Sequence, residues 1–144
     1  MWMGLESLEL MSCTLSNELP DCPNLTFLHI HSETLHDKNY FLKYILKNGK
    51  TLKMLCESCD PRIDSEGFLQ ILRDCPKLRN FSTPMPPMKL HPEYVSSIVQ
   101  ILKDNGVTRE DPLKLVLFKR KTWKRLRRLL RRNTDKLIDL SLII

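Results

Sequence analysis

Residues 74–83, Asp74-Cys75-Pro76-Lys77-Leu78-Arg79-Asn80-Phe81-Ser82-Thr83, open on a close copy of the turn that opens residues 21–30, Asp21-Cys22-Pro23-Asn24-Leu25-Thr26-Phe27-Leu28-His29-Ile30. Each is a polar, proline-bearing turn followed by an apolar triplet spaced L-x-x-L-x-L. Six triplets of this kind run through the chain: Leu5/Leu8/Leu10, Leu25/Leu28/Ile30, Leu52/Leu55/Glu57, Leu78/Phe81/Thr83, Leu113/Val116/Phe118 and Leu137/Leu140/Leu142. Their first positions lie 20, 27, 26, 35 and 24 residues apart. A recurring triplet of this period buries its side chains against the neighbouring copy, which a single copy cannot do alone.

The turns repeat as well. Asn48-Gly49-Lys50-Thr51 and Asn133-Thr134-Asp135-Lys136 occupy the same places as the two Asp-Cys-Pro turns, and Asp111-Pro112 precedes Leu113. Proline and Asn-Gly end a preceding helix and lead into extended chain. Between these turns the apolar spacing predicts helices around Phe41–Leu46, Phe68–Leu72, Tyr94–Leu102 and Trp123–Leu130. Asp64 and Ser65 are candidate N-caps for the second, and Pro92 and Asn105-Gly106 bracket the third. Too few residues separate the first two triplets for a full helix, which predicts an irregular or single-turn link. Four prolines in residues 84–92 account for the long fourth interval and read as an inserted surface loop. The whole chain, 1–144, reads as a single α/β domain with about six parallel strands on a concave side and helices on a convex side.

At 144 residues and 42% apolar content the chain can bury a continuous core. It contains no apolar run of membrane-spanning length and no basic-then-apolar leader, so an intracellular site, cytoplasmic and/or nuclear, is expected. Five cysteines are an odd number, and no disulfide framework is expected in a reducing compartment. The net charge of +6 is concentrated. Lys119, Arg120, Lys121, Lys124, Arg125, Arg127, Arg128, Arg131 and Arg132 lie in one segment, and the rest of the chain is mildly acidic.

The spacing is near the 20–29 residues of leucine-rich repeats. Leu5-x-x-Leu8-x-Leu10-x-x-Cys13 resembles the cysteine-containing class, and Ile71-Leu72-Arg73-Asp74-Cys75-Pro76-Lys77-Leu78 is similar to the helix-to-strand joint of those repeats in F-box proteins. The resemblance implies a leucine-rich-repeat solenoid of the ribonuclease-inhibitor-like (RNI-like) kind. It also implies a role as the substrate-recognition region of a cullin-type ubiquitin ligase, in which a separate F-box module docks the adaptor. The first triplet starts at Leu5 and leaves no room for an F-box. A ligase adaptor is therefore expected as a partner only if an F-box lies upstream. Apolar ends such as Leu140-Ser141-Leu142-Ile143-Ile144 suggest a fragment of a longer array, a truncated gene, or an end covered by a partner.

Residues alternating with the buried triplet positions face outward on the sheet. That count nominates Phe27, His29, His31, Met54, Cys56, Asn80, Ser82, Leu115 and Leu117 as protein-binding residues, with Ser7, Glu9, Met11, Ser58, Lys119, Asp139 and Ser141 in the same rows. A protein substrate or partner would lie across them. The nine cations from Lys119 to Arg132 have three readings: a solvated outer face, a nuclear-targeting or nucleic-acid patch, or a contact with an anionic surface. No base-reading motif accompanies them, so any nucleic-acid binding is expected to lack sequence specificity.

Cys56-x-x-Cys59 lacks the second closely spaced pair of a structural zinc site and the βαβ setting of a redox pair. His29 and His31 have only Glu33 as a nearby carboxylate in the sequence and read as surface contacts. Cys13, Cys22 and Cys75 read as small buried residues. Glu57 stands where the pattern wants leucine: either the third repeat is degenerate or Glu57 is buried against a basic side chain, and because an unpaired buried carboxylate is costly a local distortion near Asp60-Pro61 is favoured. No nucleophile–base spacing, Gly-rich phosphate loop or paired carboxylates are found. The chain reads as a non-enzyme that takes no metal or cofactor.

Overall fold

The computed structural model describes residues 2–11, 19–32, 40–59, 63–85, 90–133 and 135–143. The described residues form six strands: β1 (Ser7–Met11), β2 (Phe27–Ser32), β3 (Met54–Cys59), β4 (Asn80–Thr83), β5 (Leu113–Leu117) and β6 (Ile138–Leu142). They form one sheet in chain order, every neighbouring pair parallel. Among the described residues four α-helices intervene: α1 (Tyr40–Lys47), α2 (Ser65–Asp74), α3 (Pro92–Asp104) and α4 (Arg120–Leu130). Among the described residues no helix is long and apolar enough to cross a membrane.

The register is one-to-one. Leu8, Leu28, Leu55, Phe81, Leu115 and Leu140 lie side by side in successive strands. Two residues on, Leu10, Ile30, Glu57, Thr83, Leu117 and Leu142 occupy the next inward position. Side chains two apart in a strand share a face, so both rows enter the same layer as the helices. Leu28, Leu55, Phe81 and Leu115 are fully buried in a single core with Phe41, Ile45, Phe68, Ile71, Ile98 and Leu126. Phe68 of α2 stacks on Phe81 of β4 with ring centroids 5.4 Å apart.

The helix termini follow the sequence. The Asp64 side chain accepts the Gly67 N–H at 2.8 Å, capping α2. Pro92 opens α3. Gly106, at φ +78°, closes it with two backbone bonds, Gly106 N–H to the Lys103 carbonyl and Val107 N–H to the Leu102 carbonyl, both 3.0 Å. Of the proline-rich segment, Pro84, Met85 and Leu90 are buried rather than on the surface; Met85 is 0% exposed and Leu90 2%. Residues 86–89, and residues 12–18 of the β1–β2 link, lie outside the described residues.

Polar side chains tie one turn to the next. Asn48, buried, accepts the Cys22 N–H on Oδ1 at 2.9 Å and donates from Nδ2 to the Tyr44 carbonyl at 3.0 Å. Thr51 donates to the Leu25 carbonyl at 2.7 Å, and Asn105 to the Leu72 carbonyl at 2.7 Å. Arg79 donates to the Pro76 and Leu78 carbonyls and pairs through Nε with Asp111 at 3.0 Å. Each satisfies a backbone group that strand and helix hydrogen bonds leave over. At Gly49 the neighbouring turn approaches so closely that a Cβ would lie 2.7 Å from both the Asp74 carbonyl oxygen and Cys75 Sγ.

Asn48→Ala, which strands a buried N–H, and Gly49→Ala, which forces the turns apart, should each cost about 1–3 kcal/mol. The check is urea unfolding. The exposed neighbour Lys50→Ala should stay within about 0.5 kcal/mol of the parent.

Candidate functional site

The face of the sheet turned away from the helices carries two rows set by the same register. One is Ser7, Phe27, Met54, Asn80, Lys114 and Asp139; the other is Glu9, His29, Cys56, Ser82, Val116 and Ser141. Met11, His31 and Ser58 continue beyond them. Met54 is 39% exposed and Met11 53%. Phe27, His29, His31, Cys56, Asn80, Ser82 and Val116 are half-buried by their neighbours, while Lys114 and Asp139 are exposed. The structure thus brings Phe27, His29, His31, Met54, Cys56, Asn80 and Ser82 onto one continuous surface.

Leu115 and Leu117 are not on it. Both are fully buried on the helix side, and Lys114 and Val116 take the outward places. Pro112 occupies the position of Leu78, as the pairing of Asn80 with Lys114 requires. A count begun at Leu113 is therefore one residue late, and a one-residue slip exchanges the two faces of a strand. The signal was Asp111-Pro112, with proline standing for the leading leucine. Lys119, expected in the same row, instead precedes α4 as its N-cap residue.

Glu57 sits in an undistorted strand opposite Ile30 and is 2% exposed. Its carboxylate accepts a hydrogen bond from the Thr83 hydroxyl, which itself accepts the Met85 N–H at 3.1 Å. The position that breaks the apolar pattern is matched one strand on by another polar residue. A buried carboxylate is tolerated only when hydrogen-bonded.

Cys22, Cys56 and Cys75 are free thiols. Burial pushes the Cys75 thiol up to about 12. The Cys56 thiol is raised first by burial and then by the charge of Glu57, against a lowering hydrogen bond from Ser82. Among the described residues no group of three or more His, Cys, Asp or Glu is placed to hold a metal ion. Cys13, Glu33 and Asp60-Pro61 lie outside the described residues.

The basic segment forms α4. Leu126 and Thr122 are buried, and Trp123, Leu129 and Leu130 half-buried, so its apolar stripe is spent on the core. Arg120, Lys121, Lys124, Arg125, Arg127, Arg128, Arg131 and Arg132 are all exposed. Arg127 lies over the Trp123 ring at 5.0 Å. Among the described residues no carboxylate pairs with any cation of this segment; the nearby Asp135 is taken by Lys103 at 3.0 Å. The first turn of α4 holds no acidic residue. Pairs such as Arg120/Lys124, Lys121/Arg125 and Lys124/Arg128 each cost roughly 0.2–0.5 kcal/mol by like-charge repulsion. Beyond the helix, Arg109, Asn133, Lys136 and Asp139 line an open cavity of about 380 Å³.

No protein-family model, curated protein or solved structure matches this chain.

Cys56 and Ser82 are register partners on the outward face. Ser82→Ala removes the hydrogen bond that lowers the Cys56 thiol, leaving less thiolate at a given pH. Alkylation of Cys56 by iodoacetamide at about pH 8.5, followed by peptide mass spectrometry, should slow several-fold. Cys75 should stay unmodified in both proteins.

Proposed function

We propose that this chain is a leucine-rich-repeat solenoid that works as a protein–protein interaction module. In this reading its outward sheet face is the substrate-recognition surface of an F-box-type receptor in a cullin-type ubiquitin ligase. The observation that carries it is the unbroken register across six strands, which aligns Phe27, Met54 and Asn80 beside His29, Cys56 and Ser82. Exposed and half-exposed apolar groups ringed by polar ones suit an extended protein segment: apolar contacts supply affinity, and Asn80, Ser82 and the histidines supply directional bonds. Lys114 and Val116 replace Leu115 and Leu117 in this surface, and a partner reaching β5 would meet a cation there. The ligase role further needs an F-box helical module joined to this region.

The test uses a photo-crosslinking amino acid placed in cells at Met54 or Asn80, with Ser97 on α3 as the helix-side control. Adducts to the same protein from positions 54 and 80, absent from 97 and lost on Phe27→Asp, are the expected outcome. Ubiquitin attachment to that protein that depends on this chain supports the ligase role. Equal crosslinking from the helix side, or none from the sheet face, contradicts the interaction reading.

A further inference from the structure

The cations of α4 fall into two rows along the helix. Arg120, Lys124, Arg127 and Arg131 succeed one another at steps of four, three and four residues, as do Lys121, Arg125, Arg128 and Arg132. At roughly 100° per residue all eight lie within an arc of about 160°. At about 1.5 Å per residue each row runs for about 16 Å. Apart from Arg127, which lies over the Trp123 ring, these cations have no charged or aromatic partner among the described residues. The side chains point away from the core, and among the described residues no carboxylate pairs with them. Arg120 and Lys121 also stand at the helix N-terminus, the end where a cation is unfavourable. Arg127 and Arg128 in the last turn suit the helix dipole, whereas the cations of the first turns gain nothing from it, and the face as a whole is complementary to an ordered array of negative charge.

We propose that the cationic face of α4 binds the phosphate backbone of double-stranded nucleic acid, without reading its sequence, on the side of the molecule opposite the sheet surface. Three observations favour this polyanion. A helix that enters a membrane interface inserts its apolar face, and here Leu126 and Thr122 are already buried in the core. Single-strand binders stack bases on exposed aromatic rings, and Trp123 is half-buried beneath Arg127. Guanidinium groups predominate, their planar forks suit phosphate oxygens, and two regular rows match a rigid duplex better than an irregular acidic peptide. Because the arc faces away from the sheet, a duplex and a protein on the sheet face need not compete.

The experiment is fluorescence anisotropy with a labelled DNA duplex of mixed sequence, titrated with the full chain at several salt concentrations. Contact with about five phosphates predicts a slope of log K against log salt near −4.5, or about 500-fold weaker binding from about 50 to 200 mM salt. Scrambling the duplex sequence should leave the affinity unchanged within a few-fold. Arg125→Gln/Arg128→Gln/Arg131→Gln should flatten the slope by about 3. The equally charged variant Lys50→Gln/Lys53→Gln/Lys77→Gln, altered at exposed sites elsewhere, should bind like the parent. Arg125→Lys/Arg128→Lys/Arg131→Lys keeps the charge and should retain binding within a few-fold, which separates loss of contacts from loss of fold. Equal losses in the two glutamine variants, a flat salt dependence, or tighter binding to phosphatidylserine vesicles or poly-glutamate than to the duplex would overturn the proposal.

Discussion

The structure depends on one constraint: every strand must meet its neighbour residue for residue, so that its inward side chains fall in line with those of the strand before it. Leu8, Leu28, Leu55, Phe81, Leu115 and Leu140 satisfy it across the sheet. A slip at any joint would turn leucines to water and polar groups into the core. The turns hold the register from outside the strands. Asn48, Thr51 and Asn105 each reach a backbone group of the preceding unit, Arg79 reaches the Asn105 carbonyl of the next, and Gly49 lets two turns come into contact. Hydrophobic burial supplies the driving force, and these bonds select which alignment it is realised in.

The same constraint decides what is left over. With one side of the sheet and one stripe of each helix committed to the core, the outward face of the sheet and the outer faces of the helices are left to solvent among the described residues. The outward rows of the sheet are mixed and only partly apolar, as befits a surface that is open to water yet able to hold a protein. The outer face of α4 is unlike them in being almost purely cationic. Its like-charge pairs work against the helix, while Arg127 lies over the Trp123 ring and the cations of the last turn suit the helix dipole.

Much of this was legible in the residues. The Asp-Cys-Pro turns, the helix spans, the Asp64 cap and the Asn105-Gly106 stop are local features whose chemistry acts where it is written. What failed was non-local. Leu113, Leu115 and Leu117 alternate perfectly, and nothing within β5 says which leucine begins the count; the hydrogen bond from Lys114 N–H to the Arg79 carbonyl decides it. The hydrogen-bond partner of Glu57 was not legible because Thr83 belongs to the next unit. The proline-rich segment read as surface from composition alone, while Met85 and Leu90 had room in the core that only the assembled sheet reveals. For the candidate site, the residues of β2, β3 and β4 were placed on the right face, and those of β5 were not.

The β4–β5 joint is therefore where the account is most exposed. Backbone nuclear Overhauser contacts across this pair test it most directly in solution. Contacts that set Asn80 beside Lys114 and Phe81 beside Leu115, with Lys114 exposed and Val116 half-buried on the outward face, are expected. Contacts setting Asn80 beside Leu115 would move Leu115 and Leu117 onto the outward face and contradict both the register and the surface derived from it.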